Sequence, residues 1–274
     1  MAADFDRAAV LRTAANVIPF DYQRRPRSSP HRPPAPPDGN WLDGQVLKLN
    51  GEAAVRPAPV RLQALARALP ADVEGGLNGR AKRVLDIVVA GAALLFLAPL
   101  LALIAMAVVV DSPGPVLFRQ VRLGRGRRPF KILKFRTMRR DDGDLVMQAK
   151  AKDSRVTRIG SFLRRSSLDE LPQLFNVLRG DMSIVGPRPH AVRHDFIFER
   201  HLKDYPLRFR SKPGIIGLAQ LNGARGEIRS RRDITRRTKL DLLYQRRWSL
   251  LLDLRLICIT PAQLILDVLK GRSY

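Results

Sequence analysis

"VLDIVVAGAALLFLAPLLALIAMAVVVD", Val84–Asp111, decides the architecture. No charge occurs from Ile87 to Val110. A run of ~18 or more apolar residues is long enough for a membrane helix, and a soluble core helix rarely stays apolar on every side for that length. The flanks add a constraint. Arg80, Lys82 and Arg83 precede the run, and Arg119, Arg122, Arg125, Arg127, Arg128, Lys131, Lys134 and Arg136 follow it with no acid among them. Basic flanks favour the cytoplasmic side, so a spanning helix would force one cluster onto the disfavoured face. Pro99 sits mid-run, where it removes a backbone hydrogen bond and bends a helix. Ile87 to Ala98 would rise ~18 Å, about one leaflet. Together these features predict a re-entrant helix hairpin that turns at Pro99 and leaves by the face it entered.

Charge narrows the partners. The 274 residues carry 49 Lys+Arg against 25 Asp+Glu, a net charge of +24. Such an excess points to nucleic acid, anionic lipid headgroups or phosphorylated small molecules. A single cysteine, Cys258, excludes an intramolecular disulfide and a Cys-rich zinc site. His31, His190, His194 and His201 show no metal-ligand spacing and read as solvated or capping residues. Residues 1–79 read as an N-terminal extension without a signal peptide, because Asp4, Asp6, Arg7 and Arg12 interrupt any apolar core. Within it, Arg24–Gly39 is Pro/Arg-rich with almost nothing to bury, which predicts disorder, and Val60–Leu69 has the pattern of a short helix.

Beyond the apolar run, "VLFRQVRL" and "PFKILKFRTM" alternate around the turn-prone "GRGRR", which predicts a small β-hairpin with a basic face. The chemistry lies further on, in "RRSSLDELPQLFNVLRGDMSIVGPRPH", Arg164–His190. Ser167 to Glu170 spells a capping box. Pro172 opposes that register, since its missing N–H would break the first turn. A helix beginning near Pro172 and ending at Gly180 fits better. Asp169 and Glu170 then stand at or just before a helix N-terminus, where the dipole and Arg164/Arg165 keep carboxylates ionised and attract phosphate. An ionised Asp in a basic pocket can attack a phosphoryl centre or help hold Mg²⁺ against a diphosphate. Arg188, between Pro187 and Pro189, is stiffly presented. Ser249–Leu269 reads as two short apolar-faced helices around Pro261, either core or interfacial under Arg246, Arg247 and Lys270. A membrane-tethered nucleic-acid binder or a non-catalytic scaffold would also account for the charge. Neither gives the two carboxylates a role, and acids at the centre of a phosphate-backbone groove would weaken it.

"KRVLDIVVAG…LAPL", "DSPGPVLFRQVRLGRGRRPFKILKFRTM", "SRVTRIGSFLRRSSLDELPQLFNVLRGDMSIVGPRP", "KPGIIGLAQLNG" and "DLLYQRRWSLLLDLRL" together resemble the bacterial sugar transferases, the monotopic phosphoglycosyl transferases, over about Lys82 to Thr260. The resemblance implies transfer of a sugar 1-phosphate from a UDP-sugar to a polyprenyl phosphate with release of UMP, the first step of a surface glycan. It implies Asp169 as the nucleophile of a covalent phosphosugar intermediate. Glu170 is implied as its partner at a Mg²⁺ site, and Lys134, Arg136, Arg164, Arg188 and Lys212 as basic groups for substrate phosphates. The bilayer, the UDP-sugar and the polyprenyl phosphate are then the partners, with downstream glycosyltransferases next in line and no nucleic acid. The implied fold is α+β and mostly α. It has a re-entrant helix over 80–111 and a catalytic domain over 112–274, on the cytoplasmic face of a bacterial inner membrane. Two departures stand out: Ala98-Pro99 replaces the family's Ser-Pro, and Ile216 and Leu218 replace its usual Thr and Trp, a change that bears on donor choice.

Overall fold

The computed structural model describes residues 75–139, 153–224 and 226–269; the expectations for Arg24–Gly39, Val60–Leu69 and Lys270 lie outside them. The apolar run forms one helix, α1 (Arg80–Asp111), with Pro99 inside it. Most of its surface has no protein cover: Leu95 is 82% and Phe96 83% exposed. Its first turns are different, because Lys82, Asp86 and Ala90 are buried.

The basic segment is the antiparallel hairpin expected, β1 (Leu117–Leu123) and β2 (Pro129–Phe135), with Phe118 opposite Lys134 and Leu123 opposite Pro129. Gly126 in the connecting turn has φ +62°, a conformation that glycine adopts without a Cβ penalty. Helices α2 (Arg158–Ser166) and α3 (Gln173–Arg179) follow, with a single 3₁₀ turn, Leu168–Glu170, between them. Next come β3 (Ser183–Val185), α4 (Val192–His201), a 3₁₀ segment Tyr205–Arg210, β4 (Gly214–Ile216) and the short α5 (Leu218–Leu221). The chain closes with α6 (Arg231–Arg246) and α7 (Leu250–Leu269). β3 and β4 pair in parallel, Ser183 with Gly214 and Val185 with Ile216. Where they continue, backbones touch: a Cβ on Gly214 would lie 2.0 Å from the Gly186 nitrogen, so only glycine fits. The fold class is therefore as expected, mostly helical with two small sheets.

The C-terminal segment differs from expectation. It is one helix through Pro261 rather than two. One face carries Leu252 and Leu256 into the main core, the first of the two roles the sequence left open, and another leaves Leu251 and Leu254 exposed.

Polar contacts root α1 in this body. Lys82 Nζ donates to Asp253 Oδ2 at 2.6 Å and to the Val185 carbonyl at 3.0 Å. Asp253 is fully buried and also accepts from the Tyr244 hydroxyl (2.8 Å) and Trp248 Nε1 (3.0 Å). Asp86 Oδ1 accepts from the Ser183 hydroxyl and the Ile184 N–H, both 2.9 Å. Arg83 donates to the carbonyls of Val177 and Leu178 at the end of α3. The far end is held too. Asp111 Oδ2 accepts from the Ile159 N–H (3.0 Å), and Ile104 and Val108 pack with Phe135 and Leu163. A buried pair is costly to break because one charge is left without compensation. Asp253→Ala should therefore lower stability by about 3–5 kcal/mol, whereas Lys82→Met with Asp253→Leu should recover most of that loss, as read by thermal unfolding in detergent.

Candidate active site

The two carboxylates sit where the chain changes direction. Thr157 caps α2 by accepting from the Gly160 N–H, and the helix ends at Ser167 with φ +61°. The left-handed residue swings the chain into the 3₁₀ turn that carries Asp169 and Glu170, and α3 then starts behind Pro172 as its N-cap and ends at Gly180. The register that starts this helix near Pro172 is the one observed; Ser167 makes no side-chain cap.

Both acids are nearly buried, each 7% exposed. Glu170 is fully engaged. Its Oε1 accepts from Lys134 Nζ at 2.7 Å and from Arg188 Nη2, and its Oε2 accepts from Arg188 Nη1 at 2.8 Å. Burial works against its charge, but Arg188 and Lys134 outweigh it and hold the carboxyl well below the usual range. Asp169 is treated differently. Lys134 Nζ stands 3.6 Å from its Oδ2, and among the described residues it accepts no hydrogen bond. Burial raises its pKa, Lys134 opposes that, and the Glu170 charge raises it again. Two neighbouring carboxyl groups thus differ, one a locked anion and the other loosely held. Arg164 acts on Asp169 through its charge.

Lys134 is aimed by a residue that carries no motif signal on its own. Asn176 of α3 is fully buried; its Oδ1 accepts from the Leu133 N–H (2.9 Å) and its Nδ2 donates to the Lys131 carbonyl (2.8 Å). The side-chain amide thereby pairs with the open edge of β2 and fixes Lys134 over the 3₁₀ turn. Arg188 is aimed from behind. Its carbonyl accepts from Arg208 Nη2 at 2.6 Å, while Arg208 Nε pairs with buried Asp241 at 2.7 Å. Arg208 Nη1 donates to the Tyr205 hydroxyl (2.9 Å), which donates to Asp195 Oδ1.

His190 corrects the expectation of a solvated histidine. It is buried, with Nδ1 2.6 Å from the Tyr205 hydroxyl and Nε2 3.3 Å from Arg237 Nη1. Burial and the neighbouring Arg208 and Arg237 keep it neutral, so Nδ1–H donates to Tyr205 and Nε2 accepts from Arg237. His194 is buried as well. Sequence spacing could not reveal these networks, because their members come from α4, the 3₁₀ segment and α6.

Two of the predicted phosphate-binding residues stand elsewhere. Arg136 donates to the carbonyls of Val108, Ser112 and Pro113, so its guanidinium serves the C-terminal end of α1, where orphan carbonyls need donors. Lys212 lines a separate cavity with Arg179 and Asp181. Leu218, one of the two departures, lies in the main core. Among the described residues no cluster of three or more His, Cys, Asp or Glu could hold a metal by itself. Adjacent carboxylates with substrate phosphates and waters are nonetheless a Mg²⁺ donor set, since this ion takes one or two carboxylates and hard oxygens from its substrate. Asp169, which accepts no hydrogen bond among the described residues, has oxygens open to such an ion.

A family model for bacterial sugar transferases matches residues 77–267. The chain belongs to the bacterial sugar transferase family. It is 50% identical over 185 residues to the UDP-glucose:undecaprenyl-phosphate glucose-1-phosphate transferase of Caulobacter vibrioides, covering 67% of this chain and 69% of that protein. A protein of the same name from Xanthomonas campestris pv. campestris is 52% identical over 187 residues, covering 68% of this chain and 39% of that protein. The exopolysaccharide production protein PSS of Rhizobium leguminosarum bv. phaseoli is 41% identical over 198 residues, covering 70% of this chain and 98% of that protein. The chain spans about two fifths of the length of the Xanthomonas protein and of its namesakes from Klebsiella pneumoniae and Escherichia coli.

The network behind Arg188 has a pH signature. Asp195 Oδ2 has no hydrogen-bond partner among the described residues, and burial pushes the carboxyl up to about 7 against the pull of Tyr205, Arg208, Arg122 and Arg127. An unfolded Asp titrates near ~3.9. The folded state therefore holds the extra proton between these values, and this group's contribution to stability falls as pH rises from about 4 to about 7. Asp195→Asn should flatten that part of the stability–pH curve, measured by denaturant unfolding across the range.

Proposed function

We propose that the chain transfers a sugar 1-phosphate from a UDP-sugar to a polyprenyl phosphate, releasing UMP, as the initiating step of a surface glycan, with Asp169 as nucleophile. The observation that carries this reading is the asymmetry of the carboxylate pair, in which Glu170 is locked between Lys134 and Arg188 while Asp169 accepts no hydrogen bond among the described residues. A carboxylate without strong hydrogen bonds loses little when it attacks, and splitting a transfer into two displacements lowers each barrier.

In the first step an Asp169 oxygen forms a bond to the β-phosphorus of the donor. The bond from that phosphorus to the bridging oxygen breaks, and its electron pair leaves with UMP. In the second step a polyprenyl phosphate oxygen attacks the same phosphorus, and the Asp169 carboxylate departs. Lys134 and Arg188, kept in place by Glu170, face the equatorial phosphoryl oxygens, where charge must be offset. Asp169 and Glu170 would hold Mg²⁺ together with the diphosphate, and the ion when bound neutralises charge on the leaving nucleotide.

The same reading places the catalytic body on the cytoplasmic face of a bacterial inner membrane with α1 re-entrant. Both ends of α1 rest on one body. A straight helix from Arg83 to Asp111 would cover about 42 Å. Arg83 near one end reaches the carbonyls that close α3, and Arg136 just after β2 donates to the carbonyls of Val108 and Ser112 at the other. Exposed Phe162, Phe175, Leu251 and Leu254 offer further apolar surface for the interface. A cytoplasmic seat brings a soluble UDP-sugar and the lipid phosphate headgroup to the same place.

UMP release by the full chain in nanodiscs, compared across UDP-glucose, UDP-galactose and UDP-N-acetylhexosamines with polyprenyl phosphate present, tests the activity and selects the donor. Asp169→Asn should lower turnover by roughly a thousandfold or more with membrane association unchanged, and Glu170→Gln by roughly a hundredfold. Excess EDTA should abolish turnover, and full activity in its presence would remove the metal from the account. For topology, Arg80→Cys and Arg119→Cys in a Cys258→Ser background should both resist impermeant maleimide until the inner membrane is opened; labelling of one alone would mean a spanning helix.

A further inference from the structure

Lys212, implied by the resemblance as a phosphate-binding group, lines a cavity that neither Asp169 nor Glu170 lines. This cavity of about 470 Å³ lies between the β1–β2 turn and the end of α3, and Arg125, Arg128, Arg179 and Asp181 line it too. Arg128 lies six residues before Lys134, which along β2 is about 20 Å. The charges that bear most on Asp169 are Lys134, Glu170, Arg188 and Arg164, none of which lines this cavity.

The cavity is electrostatically incomplete. At the carboxylate pair the cations are matched by Glu170. Here four cations face a single carboxylate, and Asp181 Oδ2 already accepts from Asn176 at 3.3 Å. Among the described residues none of Arg125, Arg128, Arg179 or Lys212 has an ion-pair partner. Like charges crowd there as well: a Cβ on Gly180 would sit 3.7 Å from both Arg83 Nη2 and Lys212 Nζ. The Lys212 ammonium is pressed below its ordinary pKa by burial and then by Arg83 and Arg125, against the opposing charges of Asp86 and Asp181. A multiply charged anion would relieve this repulsion. Guanidinium forks suit tetrahedral phosphate oxygens better than they suit apolar or neutral ligands. The volume lies in the range of small-molecule sites and exceeds what one ordered water or chloride needs.

We propose that this cavity is a second anion site, separate from the carboxylate pair, which takes a phosphate or diphosphate group through Arg125, Arg128, Arg179 and Lys212. The group can come from a soluble phosphate compound or from an anionic lipid headgroup, because Arg83 ties this corner to the first turns of α1.

The test uses the full chain in nanodiscs and reads binding and melting rather than turnover, so its outcome is independent of the transferase reaction. One arm titrates inorganic pyrophosphate calorimetrically in phosphatidylcholine nanodiscs. The other compares Tm in phosphatidylcholine with Tm in mixed phosphatidylcholine–phosphatidylglycerol. Arg125→Gln/Arg179→Gln should lose one class of pyrophosphate sites, or weaken it by about tenfold or more, if the source is soluble. It should instead lose the phosphatidylglycerol-dependent rise in Tm if the source is lipid. Arg125→Gln/Arg128→Gln, both on the exposed turn, repeats the measurement should the first pair melt abnormally without ligand. Wild-type behaviour of the variants in both arms would overturn the proposal.

Discussion

A buried carboxylate can stay ionised only if its surroundings replace the water it has lost, and Glu170 imposes that requirement on the rest of the site. Two cations are needed at hydrogen-bond distance, and each must arrive from a different part of the chain. Lys134 comes from β2 and Arg188 from the loop after β3. Each depends in turn on a second layer: Asn176 pairs with the backbone of β2, and Arg208 with Asp241 holds the backbone of Arg188. Asp169 benefits from the arrangement without being consumed by it. Lys134 lowers the cost of its charge, and among the described residues its oxygens accept no hydrogen bond. The proposed reaction asks for a carboxylate that is not held so strongly that it becomes inert, and Asp169 beside Lys134 suits that demand while Glu170 takes the strong hydrogen bonds.

The apolar helix α1 answers a related problem. An apolar helix with no polar root would have little to fix its orientation to a catalytic body. Here Lys82, Arg83 and Asp86, all in its first two turns, reach α7, α3 and β3 respectively. α3 is also the helix that carries Asn176. The element that roots the apolar helix is therefore also the one that pairs with the hairpin beside the carboxylates.

Much of this was legible in the chain. The apolar run, the hairpin around its Gly-Arg turn and the start of α3 at Pro172 all follow from local rules of hydrophobic length, alternation and the missing proline N–H. The carboxylate pair stood out because acids are rare in that basic stretch, and the family resemblance assigned it a role. Long-range partners were not legible. Arg136 and Lys212 look like Lys134 in sequence, and only the tertiary structure shows that one serves the end of α1 and another lines a different cavity. His190 looked like a surface histidine until α6 and the Tyr205 segment closed over it. Pro261 signalled a break that α7 does not make, since tertiary packing of Leu252, Asp253 and Leu256 overrides local propensity.

The division of labour between the two carboxylates is tested most directly by trapping the covalent state. Full-length protein in nanodiscs is mixed with a UDP-sugar labelled in its β-phosphate, with Mg²⁺ and without polyprenyl phosphate, then quenched. The account predicts stoichiometric UMP release and label on the peptide that contains Asp169. The label should transfer to lipid when polyprenyl phosphate is added and be absent in Asp169→Asn. UMP release only when both substrates are present, with no labelled protein at any time of quenching, would contradict it.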